Sequence, residues 1–265
     1  MKTHAVVLAV ALLGGCKDYY VLPGLEVVDP RIGSGSGSDA GAGGPAAGGP
    51  GAPSLPDATA DVAPSCHPQP VGTTFCDDFD FAGERVGDRW DDGTTTYMRL
   101  DPLEPRSSPN ALTVAFDDFA SYDESYLQSK FTVSTPDVRV GVSLRLADAG
   151  VVSPIGVWLG GPEHVLFSPG ANALVERAAV AILGSHALAT PFPTGRWARL
   201  ELLFHRAAGT VEARVDGVVV LPATKLALAT VLTAATSWKL RIGAVDADTG
   251  ASMHAQLDDV VVTGE

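Results

Sequence analysis

Positive charge is scarce in this chain: 18 lysines and arginines stand against 31 aspartates and glutamates in 265 residues, a formal net charge of −13. Nucleic-acid binders draw their affinity from Lys and Arg neutralising phosphates, so this balance excludes that partner. Cysteine is nearly absent, at three residues; two thiols beside His67 do not make a four-ligand zinc set. Catalytic signatures are missing as well: there is no Gly-x-Ser-x-Gly, no His-Glu-x-x-His and no Gly-rich phosphate loop before a helix. Helical periodicity is also wanting beyond the first residues, although "LPATKLALATVLTAAT" has room for one short helix.

What the chain does have begins with an export signal. "MKTH" gives a positive start, "AVVLAVALL" is an apolar run of nine residues, and "LLGGC" ends it with small residues before Cys16. Nine residues are too few to cross a bilayer, and the three-part layout is that of a secretory signal over residues 1–15. Leu13-Gly14-Gly15-Cys16 resembles the lipobox of bacterial lipoproteins. The resemblance implies lipidation of Cys16, palmitate included, and a protein anchored to a membrane of the cell envelope on its extracytoplasmic side. Several acyl chains, each adding about 0.8 kcal/mol per buried CH₂, make such an anchor stable.

Residues 16–65 read as a tether, because Gly, Ala, Ser and Pro dominate from Arg31 to Ser65. Such a composition buries too little apolar surface to offset its ordering entropy. As a flexible coil, about 35 residues reach roughly 30–35 Å. From Cys66 to the C-terminus the chain reads as one domain. In an oxidising compartment Cys66 and Cys76 are an even pair, and a disulfide between them would fix the end of the tether against the first strand.

The domain is written in alternating runs. "VRVGVSLRL" places Val138, Val140, Val142, Leu144 and Leu146 on one face, and "RWARLELLFHR" turns Arg199, Glu201 and His205 away from Leu200, Leu202 and Phe204. Asp216-Gly217 joins two strand-like arms with the pair that a tight hairpin favours, and Gly160-Gly161-Pro162 marks a second turn. Further runs, "ALVERAAVAIL" among them, bring the count to ten or more short strands. The expectation is an all-β, antiparallel sandwich of two sheets.

The order of landmarks resembles the concanavalin A-like, laminin G-like jelly roll. "FCDDFD" opens the domain with Trp90 shortly after, "SSPNAL" leads into a strand, "GRWARLELLF" precedes "VEARVDGVVV", and "KLRIGAV" and "LDDVVV" close it. The resemblance covers residues 72 to 264 and implies that the first and last strands lie side by side. Alternation then sets Phe75, Asp77, Phe79 and Phe81 on one face, and Cys76, Asp78 and Asp80 on the other. Laminarinase-type members are similar in holding a calcium between an acidic residue near the first strand and an aspartate near the last. That resemblance makes Asp78, Asp80 and Asp258 candidate ligands for a structural calcium, with Asp78 standing where Glu is often found. Residues 77–124 carry thirteen acidic residues against four arginines, a concentration of charge that a cation would relieve.

Those relatives also carry catalytic acids as Glu-x-Asp-x-x-Glu, which this chain lacks. Its nearest constellation is Glu201, Glu212 and Asp216, interleaved with Arg199 and Arg214 as cross-strand ion pairs would be. His164 and His186, in turn-rich segments, are expected at the surface. Trp90, Trp158 and Tyr97 are candidate aromatic platforms for a sugar. The reading is therefore a lipid-anchored binding or adhesion module for a polysaccharide or a cell-surface ligand. A carbohydrate-active enzyme of the same fold, acting through Glu201, Glu212 and Asp216, is the alternative.

Overall fold

The computed structural model describes Cys66 and residues 72–265, apart from 81–82, 84, 104, 108, 118–124, 149, 151 and 247–250. Cys16, the signal over residues 1–15 and the tether over residues 16–65 lie outside the described residues. In chain order the strands are β1 (Thr73–Asp77), β2 (Asp92–Thr94), β3 (Met98–Asp101), β4 (Ala111–Phe116), β5 (Ser125–Thr132), β6 (Asp137–Leu146), β7 (Ser153–Trp158) and β8 (Glu163–Ser168). They continue as β9 (Ala173–Ala178), β10 (Ala181–Ala187), β11 (Trp197–His205), β12 (Thr210–Val215) and β13 (Val218–Lys225). A single helical turn and a half, α1 (Ala229–Ala234), precedes β14 (Ser237–Asp246) and β15 (Met253–Gly264).

These strands form the two antiparallel sheets of a jelly-roll sandwich. The eight-stranded sheet runs β13-β12-β11-β6-β15-β4-β3, with β1 also paired to β15; the seven-stranded sheet runs β10-β9-β8-β7-β14-β5-β2. The inward sides of β6 and β11, including Val140, Val142, Leu200, Leu202 and Phe204, are buried in one core with Val157, Val165, Phe167, Leu240 and Ile242 of the other sheet. Trp238 is fully buried and meets Phe204 edge-to-face at 5.3 Å, which locks the two layers at their centre.

Local signals read from the sequence act as expected at the turns. Asp216 and Gly217 take positive φ of 50° and 76°, the left-handed pair that a two-residue hairpin needs, and Gly160 does the same at φ 91° between β7 and β8. One run is different: "ALVERAAVAIL" is not one strand but the hairpin of β9 and β10. Its turn is made by Ala179 at φ 52° and Val180, with no glycine, proline or asparagine to mark it. The Ala179 N–H donates to the Pro162 carbonyl at 3.1 Å, so a neighbouring loop holds the strained turn.

The first and last strands pair, Cys76 opposite Val261 and Asp77 opposite Val260. Cys66 and Cys76 form a disulfide with Cα atoms 5.6 Å apart. β15 pairs β4 through residues 253–257 and β1 through residues 260–263, and Asp258-Asp259 sits at the break between the two partners, Asp259 at φ 47°. This break is a β-bulge, at which the Asp258 carboxylate meets the backbone of Arg106 and Ser107 and the Asp259 carboxylate meets the Ser143 hydroxyl on β6.

Candidate functional site

Three places hold the residues singled out in the sequence: the acidic seam between the termini, the outer face of the eight-stranded sheet, and the outer face of the seven-stranded sheet.

At the seam the aspartates divide their work. β1 ends at Asp77, so the alternation stops there and Phe79, at φ 56°, turns into the core instead of continuing a strand. Asp77 is fully buried; its carboxylate accepts the Phe79 N–H at 3.0 Å and the Trp90 indole N–H at 2.7 Å. Asp78 accepts the Cys66 N–H at 3.2 Å through Oδ2, while its buried Oδ1 has no hydrogen-bond partner. Asp80 accepts the Asn110 N–H at 3.0 Å. Asp258 is saturated with donors: the backbone N–H groups of Arg106, Ser107 and Asp259 and the Ser107 hydroxyl all point at it within 3.1 Å.

Of the candidate calcium ligands, Asp80 feels the charge of Asp78, and Ser107 bonds to both Asp80 and Asp258. Burial, followed by the adjacent Asp259 carboxylate, pushes Asp258 up to about 8. Burial also raises Asp259, opposed by Arg199. Among the described residues no three His, Cys, Asp or Glu side chains are arranged as a metal-binding group. The unfilled Asp78 Oδ1 is nevertheless the kind of buried acceptor that a hard cation satisfies.

On the eight-stranded sheet the candidate catalytic acids are engaged with bases. Glu201 lies 3.8 Å from both Arg139 and Arg199, Glu212 accepts from Arg214 at 2.6 Å, and Asp216 accepts from the Arg196 side chain and the Arg199 N–H at 2.9 and 2.8 Å. Asp216 sits in the hairpin turn and organises it. Arg199 lies across β6 against Gly141, where a Cβ would stand 2.3 Å from its guanidinium, and donates to the Asp259 carbonyl at 3.0 Å. These are structural ion pairs; none leaves an acid and a nucleophile facing one another.

Two of the three candidate aromatics also serve packing. Trp90 is buried by its bond to Asp77 and its edge contact with Phe75 at 4.8 Å, and Tyr97 packs on Phe116 at 5.3 Å. Trp158 differs. It projects from the outer face of the seven-stranded sheet and lies over Gly156, where a Cβ would come within 2.5 Å of the indole. Its ring stacks on His164, with centroids 4.6 Å apart and planes 17° apart.

His164 is not a surface residue: it is buried under this stack, and its Nδ1–H donates to the Pro162 carbonyl at 2.8 Å. That bond leaves Nε2 as an acceptor. Burial holds the imidazole below its usual range, with Arg177 and Arg241 adding to the effect and Asp246 opposing it. His186 is likewise engaged, at 2.6 Å from the fully buried Glu176, whose carboxylate also takes the Ala227 and Leu228 N–H groups ahead of α1. The His186 partner comes from the other arm of its own hairpin, which the unbroken apolar pattern concealed.

Around Trp158 the face includes Arg241, Gln128, Arg177 and Asp246, which sequence reasoning passed over. The Arg241 guanidinium lies between the Tyr126 ring at 4.0 Å and the Trp158 ring at 4.5 Å, and its Nε–H donates to Gln128 at 2.9 Å. Arg177 pairs with Asp246 at 2.9 Å. With Val180 these side chains border a cleft of ≈ 280 Å³. An aromatic plate flanked by fixed hydrogen-bond donors is an arrangement that holds the ring of a sugar.

No family model and no curated relative match the chain. Solved structures do. The cellulose-induced protein Cip1 shares 15% identity with a TM-score of 0.51, over 72% of this chain and 97% of that one. A conserved carbohydrate esterase from the Shiga toxin-encoding bacteriophage phi24B shares 12% identity with a TM-score of 0.50, over 73% of this chain and 98% of that one. At such identities the likeness is one of fold: the chain has a jelly-roll architecture.

Proposed function

We propose that this protein is a carbohydrate-binding module that holds its ligand on the outer face of the seven-stranded sheet. One observation carries the reading: Trp158, packed close to Gly156, stacks on His164 and lies beside the Arg241 guanidinium at the border of an open cleft. The names of the similar structures, one induced by cellulose and one a carbohydrate esterase, point the same way. Binding is favoured over catalysis because Glu201, Glu212 and Asp216 are each tied to an arginine on the opposite sheet. The test is a glycan array probed with the full chain and with Trp158→Ala. Retention of a polysaccharide that the variant loses supports the reading, and no retention of any glycan overturns it.

Two further elements belong to this proposal. Lipidation at Cys16 tethers the module to the cell envelope; Cys16→Ser is expected to shift the protein from the membrane to the soluble fraction and to abolish labelling by an alkyne fatty acid. A structural calcium is held at Asp78, Asp80 and Asp258, with the buried Asp78 Oδ1 as the supporting observation. A native-state ligand raises stability, so calcium is expected to raise the melting temperature over chelator. An equal melting temperature in both would remove calcium from the account.

A further inference from the structure

The register of the seven-stranded sheet brings five outward side chains into one line. Lys130 on β5 stands directly opposite Lys239 on β14, Lys239 opposite Trp158 on β7, Trp158 opposite His164 on β8, and His164 opposite Arg177 on β9. Five strands at 4.7–4.9 Å spacing make this row roughly 19 Å long. The next row places Arg241 beside Gln128.

The Lys130–Lys239 pair is the anomaly. Like charges directly opposite one another on an exposed sheet face are destabilising. Lysine is rare here, five in a chain of charge −13, so two of the five facing each other is not a by-product of abundance. Lys239 has Trp158, not an acid, on its other side. Asp91 is near Lys130 but accepts its backbone N–H, and Asp92 at the edge of the sheet accepts the Gly93 N–H. At the far end of the row Arg177 pairs with Asp246. The centre of the row is thus positive on a strongly negative molecule.

We propose that this face takes a carboxylated polysaccharide, whose sugar rings lie on Trp158 while its carboxylates meet Lys130, Lys239 and Arg241. The inference rests on the carbohydrate-binding reading of the same face and adds the chemical class of the ligand. A uronate polymer carries one planar charge per sugar and keeps apolar ring faces between charges, which suits lysines alternating with an indole. A planar carboxylate also matches the fork of a guanidinium. A denser polyanion, such as a polyphosphate, would meet repulsion from the rest of the chain.

The test uses the full chain and one backbone in two charge states: polygalacturonate and its fully methyl-esterified form, compared by calorimetry at low salt. At least tenfold tighter binding of polygalacturonate is expected, with the advantage shrinking as salt screens the lysines. Lys130→Gln/Lys239→Gln should remove about tenfold of that affinity and lessen the salt dependence. Lys130→Arg/Lys239→Arg should retain both, and Arg214→Gln on the opposite sheet should change neither. Equal or tighter binding of the ester overturns this inference and leaves the carbohydrate reading standing; no binding of either polymer counts against both. Polyglutamate or dextran sulfate bound as tightly as polygalacturonate overturns it too, since simple attraction for anions would then suffice.

Discussion

The two outer faces of this sandwich carry similar kinds of side chain and use them in opposite ways. On the eight-stranded sheet acids and bases are paired across its outer face: Arg139 with Glu265 at 2.9 Å, His205 with Asp137 at 3.2 Å, Arg214 with Glu212 at 2.6 Å. On the seven-stranded sheet two lysines face each other, an arginine lies between aromatic rings, and an indole is spread over a glycine. A face compensated within the chain is complete. A face that sets like charges opposite one another has left their compensation to something outside, and that difference is the ground for the proposed binding surface.

The comparison is open to attack from both sides. The largest effect is expected at Arg199, whose buried guanidinium bonds to Ser143 and the Asp259 carbonyl. Arg199→Ala leaves the Asp259 carboxylate buried without its main countercharge, a loss of about 3–5 kcal/mol in denaturant unfolding. Because it lies on the compensated face, glycan affinity of the folded fraction should not change. Trp158→Ala is the mirror experiment: removal of a central aromatic anchor should cost about 2 kcal/mol of binding, roughly 30-fold, while the melting temperature stays near that of the parent.

Lys130→Glu sharpens the contrast further. It replaces an opposed pair of like charges by an attractive one, so the fold should gain about 0.2–1 kcal/mol. The same change should weaken polygalacturonate binding; a variant both less stable and equally good at binding would break the distinction between the faces. The smallest effect concerns pH. The folded state holds His164 below its usual value, so the unfolded chain takes up that proton first on acidification. The contribution is therefore present above the unfolded value near 6.5 and is lost as pH falls below it. His164→Phe, which keeps a ring under Trp158, should flatten the fall in unfolding midpoint between pH 7.5 and 5.5.

Much of the fold was legible locally. Alternation over 138–146 and 197–205 named the buried faces, Asp216-Gly217 named its hairpin, and the spacing of Cys66 and Cys76 allowed their bond. The hairpin at Ala179-Val180 was hidden because its turn residues carry no turn signature and the apolar pattern runs through it. The site was legible only in part. Trp90, Tyr97 and Trp158 look alike as sequence, yet a carboxylate and two phenyl rings claim the first two and leave Trp158 on the surface. Lys130, Lys239 and Arg241 stand on strands with no local mark of function.

By itself, then, the sequence determined which side chains along each strand point in and which point out, because that period of two is a property of the strand alone. It also determined the sharp turns at Gly160 and at Asp216-Gly217, through residues that tolerate positive φ. Only the tertiary structure decided which outward residues stand beside one another. Lys130 and Lys239 are more than a hundred residues apart, and the pairing of β5 with β14 sets them face to face. Register between distant strands is fixed by the packing of the buried faces, and the outward row that it aligns is a consequence of the core.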